Sequence, residues 1–128
     1  MLISLIITTY NRPDALLLVL KSVEIQSVSP LEVIIADDGS DETTKQSIED
    51  FKKVSRIKVV HSWQKDKGFR VSRSRNKAIA KSLFDYIILI DGDAILHKKF
   101  IEDHLNHAKD GFFVQGSRVF LNQFTSNK

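Results

Sequence analysis

The feature that most constrains this chain is a set of short, β-rich apolar runs, each of which breaks off into a polar cluster. Leu2 to Thr9 runs into Tyr10-Asn11-Arg12, Leu31 to Ala36 into Asp37-Asp38-Gly39-Ser40, and Tyr86 to Ile90 into Asp91-Gly92-Asp93. Runs of this length suit buried strands, and the polar stops mark where each strand leaves the core. Tyr86 to Ile90 is apolar on both faces, which predicts a central position in a sheet.

Helical patterns fill the intervals. Asn11 is placed to cap a helix with Pro13 in its first turn, and Leu16, Val19, Leu20 and Val23 recur on one face before a stop near Ser27 to Pro30. Ser40 is placed to cap a second helix whose inner face is Thr44, Ile48 and Phe51, followed by a short strand from Arg56 to His61. Val71, Ala78, Ile79 and Leu83 fit a third helix, and Phe100, Ile101, His104, Leu105 and Ala108 a fourth that Gly111 ends, before a last strand from Phe112 to Phe120. Strands alternating with helices imply right-handed crossovers and an α/β, doubly wound, mainly parallel sheet.

The 128 residues, 42% of them hydrophobic, suit one domain spanning 1–128 and leave no room for a second. Without cysteine there is neither a disulfide framework nor a thiolate metal site, which accords with a reducing compartment. The N-terminus reads as a strand rather than a leader, and no apolar run approaches the ~20 residues of a transmembrane helix. The expected location is cytoplasmic, with peripheral association at the inner face of a membrane as a variant. The net charge of +3 is unevenly spread. Lys65, Lys67, Arg70, Arg73, Arg75, Lys77 and Lys81 stand against the single acid Asp66 between His61 and Phe84, a stretch suited to phosphate or to simple solvation of a helix face.

In a parallel sheet ligands bind beyond the carboxyl ends of the strands, so the three polar clusters are expected to converge on one edge. A carboxylate ending the second strand suits the imide of a pyrimidine base or ribose hydroxyls, Asp38 being the better of its pair, and Tyr10 can border a base. Asp91 and Asp93 suit ribose and a hard divalent cation, Mn²⁺ or Mg²⁺, whose remaining coordination a diphosphate completes. No glycine-rich turn follows the first strand and no glycine-rich loop ends in Lys-Ser or Lys-Thr, which argues against nicotinamide enzymes and P-loop ATPases.

Ile6-Ile7-Thr8-Thr9-Tyr10-Asn11-Arg12, Asp37-Asp38-Gly39-Ser40, Gly68-Phe69-Arg70 through Arg75-Asn76, and Asp91-Gly92-Asp93 resemble the successive motifs of family 2 glycosyltransferases. The resemblance covers almost the whole chain in order. It implies a GT-A, Rossmann-like fold and a metal-assisted, inverting transfer of sugar from a nucleoside-diphosphate sugar, UDP-sugar favoured, to a hydroxyl of a glycan or glycoconjugate. It also implies roles: Thr8, Tyr10 and Arg12 lining the nucleoside pocket, Asp38 on the base, Asp91 on the ribose, Arg75 near the diphosphate and Asp93 on the metal. Family members usually continue into an acceptor region holding an acidic catalytic base, whereas no acid follows Asp110 here. No catalytic base is assigned, and the fold is expected to be incomplete at its C-terminal end, supplying mainly donor binding.

His104 and His107, one helical turn apart, lack partners at zinc-site spacing and read as surface or partly buried helix positions, and Trp63 reads as packing. Two other classes compete: a non-catalytic nucleotide-binding or scaffold module, and a receiver-like signalling domain, whose acidic pair belongs after the first strand where this chain has Thr8-Thr9-Tyr10-Asn11. No specific nucleic-acid partner is expected.

Overall fold

The computed structural model describes residues 3–68, 70–83 and 86–107. Its elements alternate as β1 (Ile3–Thr9), α1 (Pro13–Glu24), β2 (Glu32–Asp37), α2 (Glu42–Val54), β3 (Lys58–Trp63), α3 (Val71–Lys81), β4 (Tyr86–Asp91) and α4 (Phe100–His107). All described strand pairings are parallel, in the order β3-β2-β1-β4. The order reverses between β1 and β4, the place where doubly wound sheets open a ligand crevice. A receiver-like sheet would put β3 on the other side of β1, so the topology removes that alternative.

Strand alternation sorts the core into two layers. Leu5, Ile7, Val33, Ile35 and Ile88 pack against the apolar stripe of α1 (Leu16, Val19, Leu20, Val23), Ile48 of α2 and Ile101 of α4. Ile6, Ile34 and Ala36 face the other way and pack against Ala78 of α3. Every residue of β1 and β2 is buried, and each large aliphatic side chain so buried stabilises the fold by about 1.5–3 kcal/mol relative to exposure.

Several expected details differ. Asn11 does not cap α1. Arg12 occupies the cap position but its side chain does not cap the helix, while Pro13 opens the helix as expected. Asp41 rather than Ser40 caps α2, accepting from the Thr44 N–H. β3 begins and ends two residues later than read, because Trp63 still pairs with Asp37. Leu83 lies beyond α3 and is exposed. β4 is the outer strand on its side among the described residues, with Leu89 partly exposed, rather than central. Ala108, Gly111 and the strand expected from Phe112 to Phe120 lie outside the described residues.

β2 also anchors the far end of the crossover. Glu32, fully buried, accepts from the Ser4 hydroxyl (2.6 Å) and from the Leu83 N–H just after α3 (2.7 Å). No helix among the described residues is long and apolar enough to cross a membrane.

A glycine between two aspartates suggests room for a ligand to approach the backbone closely, but the neighbour of Gly92 is the sheet itself. A Cβ there would fall inside van der Waals contact with the Thr8 carbonyl oxygen. Backbone cannot step aside as a flexible side chain can, so Gly92→Ala is expected to cost on the order of 1–3 kcal/mol through overpacking. Thermal unfolding followed by circular dichroism checks this, with the midpoint expected to fall by about 5 °C or more. An unchanged midpoint would mean that the turn has slack.

Candidate functional site

Parallel register sets the site. Thr8 pairs with Asp91 across β1 and β4, Thr9 with Asp37 across β1 and β2, and Asp37 with Trp63 across β2 and β3. The ends of four strands therefore lie in one row. By the alternation of strand faces, Thr8 and Asp91 share the side covered by α3.

At the carboxyl ends of β1 and β4, where the strand order reverses, the Thr8 hydroxyl donates to Asp91 Oδ1 at 3.3 Å. Arg75, one turn into α3, brings a guanidinium nitrogen to 3.9 Å from the same oxygen. That separation is too long for a hydrogen bond, and a pair about 40% exposed on each side contributes little to stability. The arginine is held near the crevice without being locked there. Asp93 is exposed in the turn after β4, which the Ala94 N–H closes onto the Asp91 carbonyl.

The paired aspartates after β2 divide their work. Asp37, fully buried, accepts from the Ser40 N–H (2.9 Å) and meets His61 Nε2 at 2.7 Å, so it holds its own turn and braces β3. Asp38, 5% exposed, accepts from the Gln64 amide (2.5 Å) and the Arg70 N–H (2.7 Å). Asp38 lies on the same side of the sheet as α3, Thr8 and Asp91. Its carboxylate is nevertheless already tied on both oxygens by protein donors.

Asn11 adopts a left-handed φ of +48°, which asparagine tolerates better than most residues. From there its N–H donates to Ser40 Oγ (2.7 Å) and its side-chain oxygen accepts from the Asp41 N–H (2.8 Å). The residue read as a helix cap instead clasps two strand-end loops together, and Ser40 is the other half of that clasp.

Tyr10 is 46% exposed and donates its hydroxyl to Asp66 at 2.6 Å. Asp66 belongs to a loop that crosses so close to Gly39, itself at φ +99°, that a Cβ there would lie 2.5 Å from the Asp66 backbone. Arg12 turns toward Asp14 at 3.3 Å on the exposed start of α1. The structure thus joins Thr8, Arg75 and Asp91 directly, sets Asp38 against the start of the helix that carries Arg75, and leaves Arg12 outside this network.

The sequence reading gives Gln64 and Asp66 no site role, and Asn11 only that of a helix cap. Gln64-Lys65-Asp66 directly follows β3 and is a fourth strand-end cluster, which is the signal that would have found it. Trp63, expected to pack, is half exposed at the end of the outer strand and donates its indole N–H to the Ser40 carbonyl (3.0 Å). His104, expected at a surface or partly buried position, is buried, its ring tilted against Phe100 and edge-on to Tyr86. Nothing about the His107 side chain is described.

The comparisons with known proteins agree with this geometry. The profile of glycosyl transferase family 2 matches residues 4–128, and the chain belongs to that family. It is 38% identical over 122 residues to a hyaluronan synthase of Pasteurella multocida, covering 93% of this chain and 12% of that protein. It is 30% identical over 122 residues to a chondroitin synthase of Escherichia coli, covering 93% of this chain and 18% of that protein. Among solved structures, S. aureus TarS 1-349 in complex with UDP superposes with a TM-score of 0.66 at 25% identity, covering 83% of this chain and 31% of that one. The chain therefore spans less than a third of each of these relatives. The sheet is the GT-A, Rossmann-like arrangement that the sequence motifs implied.

The Tyr10 hydroxyl loses its proton less readily than an ordinary tyrosine, chiefly because it donates to Asp66 and secondarily through desolvation and the repulsion of that carboxylate. Asp66→Asn is expected to move this ionisation back down toward the usual tyrosine range. The difference between the ultraviolet pH titrations of the two proteins isolates Tyr10 from Tyr86, which the substitution leaves alone. Superimposable titrations would show that the contact is absent in solution.

Proposed function

We propose that residues 1–128 form one nucleotide-sugar-binding domain of a glycosyltransferase that takes a UDP-sugar and passes the sugar to an acceptor hydroxyl with inversion. The observation that carries this reading is the alignment of Thr8, Asp91 and Arg75 at the crevice where strand order reverses, with Asp38 tied to the start of the helix bearing Arg75. Support comes from relatives named for the synthesis of hyaluronan and chondroitin and from the TarS complex with UDP. By this reading Thr8 and Tyr10 border the nucleoside, Asp38 accepts from the base, Asp91 meets the ribose and Arg75 the diphosphate. Arg12 remains assigned to the nucleoside pocket only by the family resemblance, since its guanidinium faces Asp14.

In the reaction the acceptor oxygen forms a bond to the anomeric carbon as the bond from that carbon to the diphosphate oxygen breaks. The electron pair leaves with UDP, and the acceptor proton passes to a general base. What the protein supplies at that moment is positive charge beside the departing phosphate, the role given to Arg75.

No three of His, Cys, Asp and Glu converge as a metal cage among the described residues. Mg²⁺ and Mn²⁺ at nucleotide sites commonly take one or two carboxylates and complete their shell with phosphate oxygens and water. Asp93, with Asp91 two residues earlier, is a donor set of that kind. A bound cation would neutralise diphosphate charge, with Asp93 holding it. The acceptor is proposed as a hydroxyl of a growing glycan or glycoconjugate, and the location as cytoplasmic or at the inner membrane face.

Binding measurements test the reading. UDP is expected to raise the unfolding temperature more with Mn²⁺ than after chelation, and Asp93→Asn to remove most of the difference. Should chelation and Asp93→Asn both leave UDP affinity unchanged, the metal role is wrong. Arg75→Ala is expected to weaken UDP about tenfold while changing uridine affinity little, as loss of a charge-assisted contact implies. Equal losses for UDP and uridine would move Arg75 away from the diphosphate.

A further inference from the structure

Gln64 is a buried polar side chain in a position that the proposed roles do not use. It is 3% exposed, its backbone N–H extends the β2–β3 pairing by donating to the Asp37 carbonyl (3.1 Å), and its side chain projects on the α3 side. The amide nitrogen makes two contacts, with Asp38 Oδ1 at 2.5 Å and with the Arg70 carbonyl at 3.2 Å. Both partners are acceptors, which fixes the amide orientation with its NH₂ toward them. The amide oxygen is buried with no partner among the described residues. A buried amide left half satisfied is destabilising, so its two donated hydrogen bonds are the reason the side chain suits this position.

Arg70 closes the ring. Its N–H donates to Asp38 Oδ2 (2.7 Å), and its carbonyl accepts both from Gln64 and from the Ser74 N–H, the first bond of α3. α3 has no side-chain cap of its own and no acid in its first turn. Asp38 supplies the missing negative charge to that helix start from another element, and Gln64 fixes the carboxylate in the rotamer that does so.

We propose that Gln64 is a positioning residue for donor recognition. It holds the Asp38 carboxylate in place for the nucleobase and, through the Arg70 backbone, sets the start of the helix that presents Arg75. The proposal rests on the reading of Asp38 as the base contact and assigns a role to a residue outside that contact.

The consequence is selectivity rather than bulk affinity alone. Gln64→Met keeps the shape and removes both donated bonds. Gln64→Asn keeps the amide but falls one methylene short, and serves if methionine impairs folding. Calorimetric titration with UDP and GDP in Mn²⁺ is expected to show UDP affinity reduced about tenfold for either variant, with the UDP-to-GDP preference shrinking by a similar factor. A merely structural role would weaken both nucleotides alike and leave the preference intact. In an Asp38→Ala background, Gln64→Met is expected to cost no further UDP affinity, because its effect passes through Asp38.

The outcomes separate the two claims. If UDP binds and Asp38→Ala weakens it while both Gln64 variants keep wild-type affinity and preference, the Gln64 role is overturned and the Asp38 reading stands. A Gln64→Met penalty that persists undiminished in the Asp38→Ala background also overturns it. If Asp38→Ala leaves UDP and uridine binding intact, the base-contact reading fails first and takes the Gln64 role with it.

Discussion

Two consecutive carboxylates at the end of β2, both nearly inaccessible to water, set the terms for the whole carboxyl edge. A buried carboxylate is tolerated only if hydrogen-bond donors surround it. Adjacent residues on a strand point to opposite sides, so Asp37 and Asp38 must recruit different donors. Asp37 recruits the Ser40 N–H and His61, which folds its own turn back and fastens β3. Asp38 recruits Gln64 and the Arg70 N–H, which fastens the loop after β3 and the start of α3. The edge is a surface on which little can move independently, which suits the base recognition proposed for it.

The same strand also fixes α3 from its other end. Glu32, at the beginning of β2, holds the Leu83 N–H just beyond the helix, and Asp38, just past the end of β2, holds the Arg70 N–H just before it. α3 is the described helix whose buried contacts lie in the smaller core layer, where Ala78 meets Ile6, Ile34 and Ala36. That layer alone is thin, and carboxylates of β2 at each end make up for it. Arg75 inherits a defined place from this arrangement although its own ion pair with Asp91 is long and weak.

The fold was legible because its signals are one-dimensional. Leu16, Val19, Leu20 and Val23 lie on one helix face whatever that helix packs against, and apolar runs ending in Asp-Asp-Gly-Ser or Asp-Gly-Asp mark strand ends locally. What escaped depended on pairs distant in sequence. Asn11 looks like a helix cap until Ser40 and Asp41 are seen opposite it. Gly92 looks permissive for a ligand until the Thr8 carbonyl appears where a Cβ would go. Gln64 follows a strand as Tyr10 and Asp38 do, but no spacing rule joins a glutamine to an aspartate 26 residues earlier. Trp63 reads as packing because tryptophan is usually well buried, whereas its place at the end of β3, an outer strand among the described residues, leaves it half covered.

The charges at this edge also explain why a divalent cation belongs in the functional reading. Asp91 and Asp93 would repel a diphosphate laid directly against them, and Arg75, about 40% exposed and partly engaged by Asp91, offsets only part of that repulsion. In the proposed reading a cation held by Asp93 would supply positive charge against that repulsion, while the neutral nucleoside would need only acceptors such as the one proposed at Asp38. The further cations Lys65, Lys67, Arg73, Lys77 and Lys81 have no ion pair among the described residues. They add a diffuse positive field around α3 that falls with ionic strength. Salt should therefore weaken binding of the diphosphate more than that of the nucleoside, because only the phosphates feel that field. Equal salt dependence for UDP and uridine would instead separate the basic segment from the donor site.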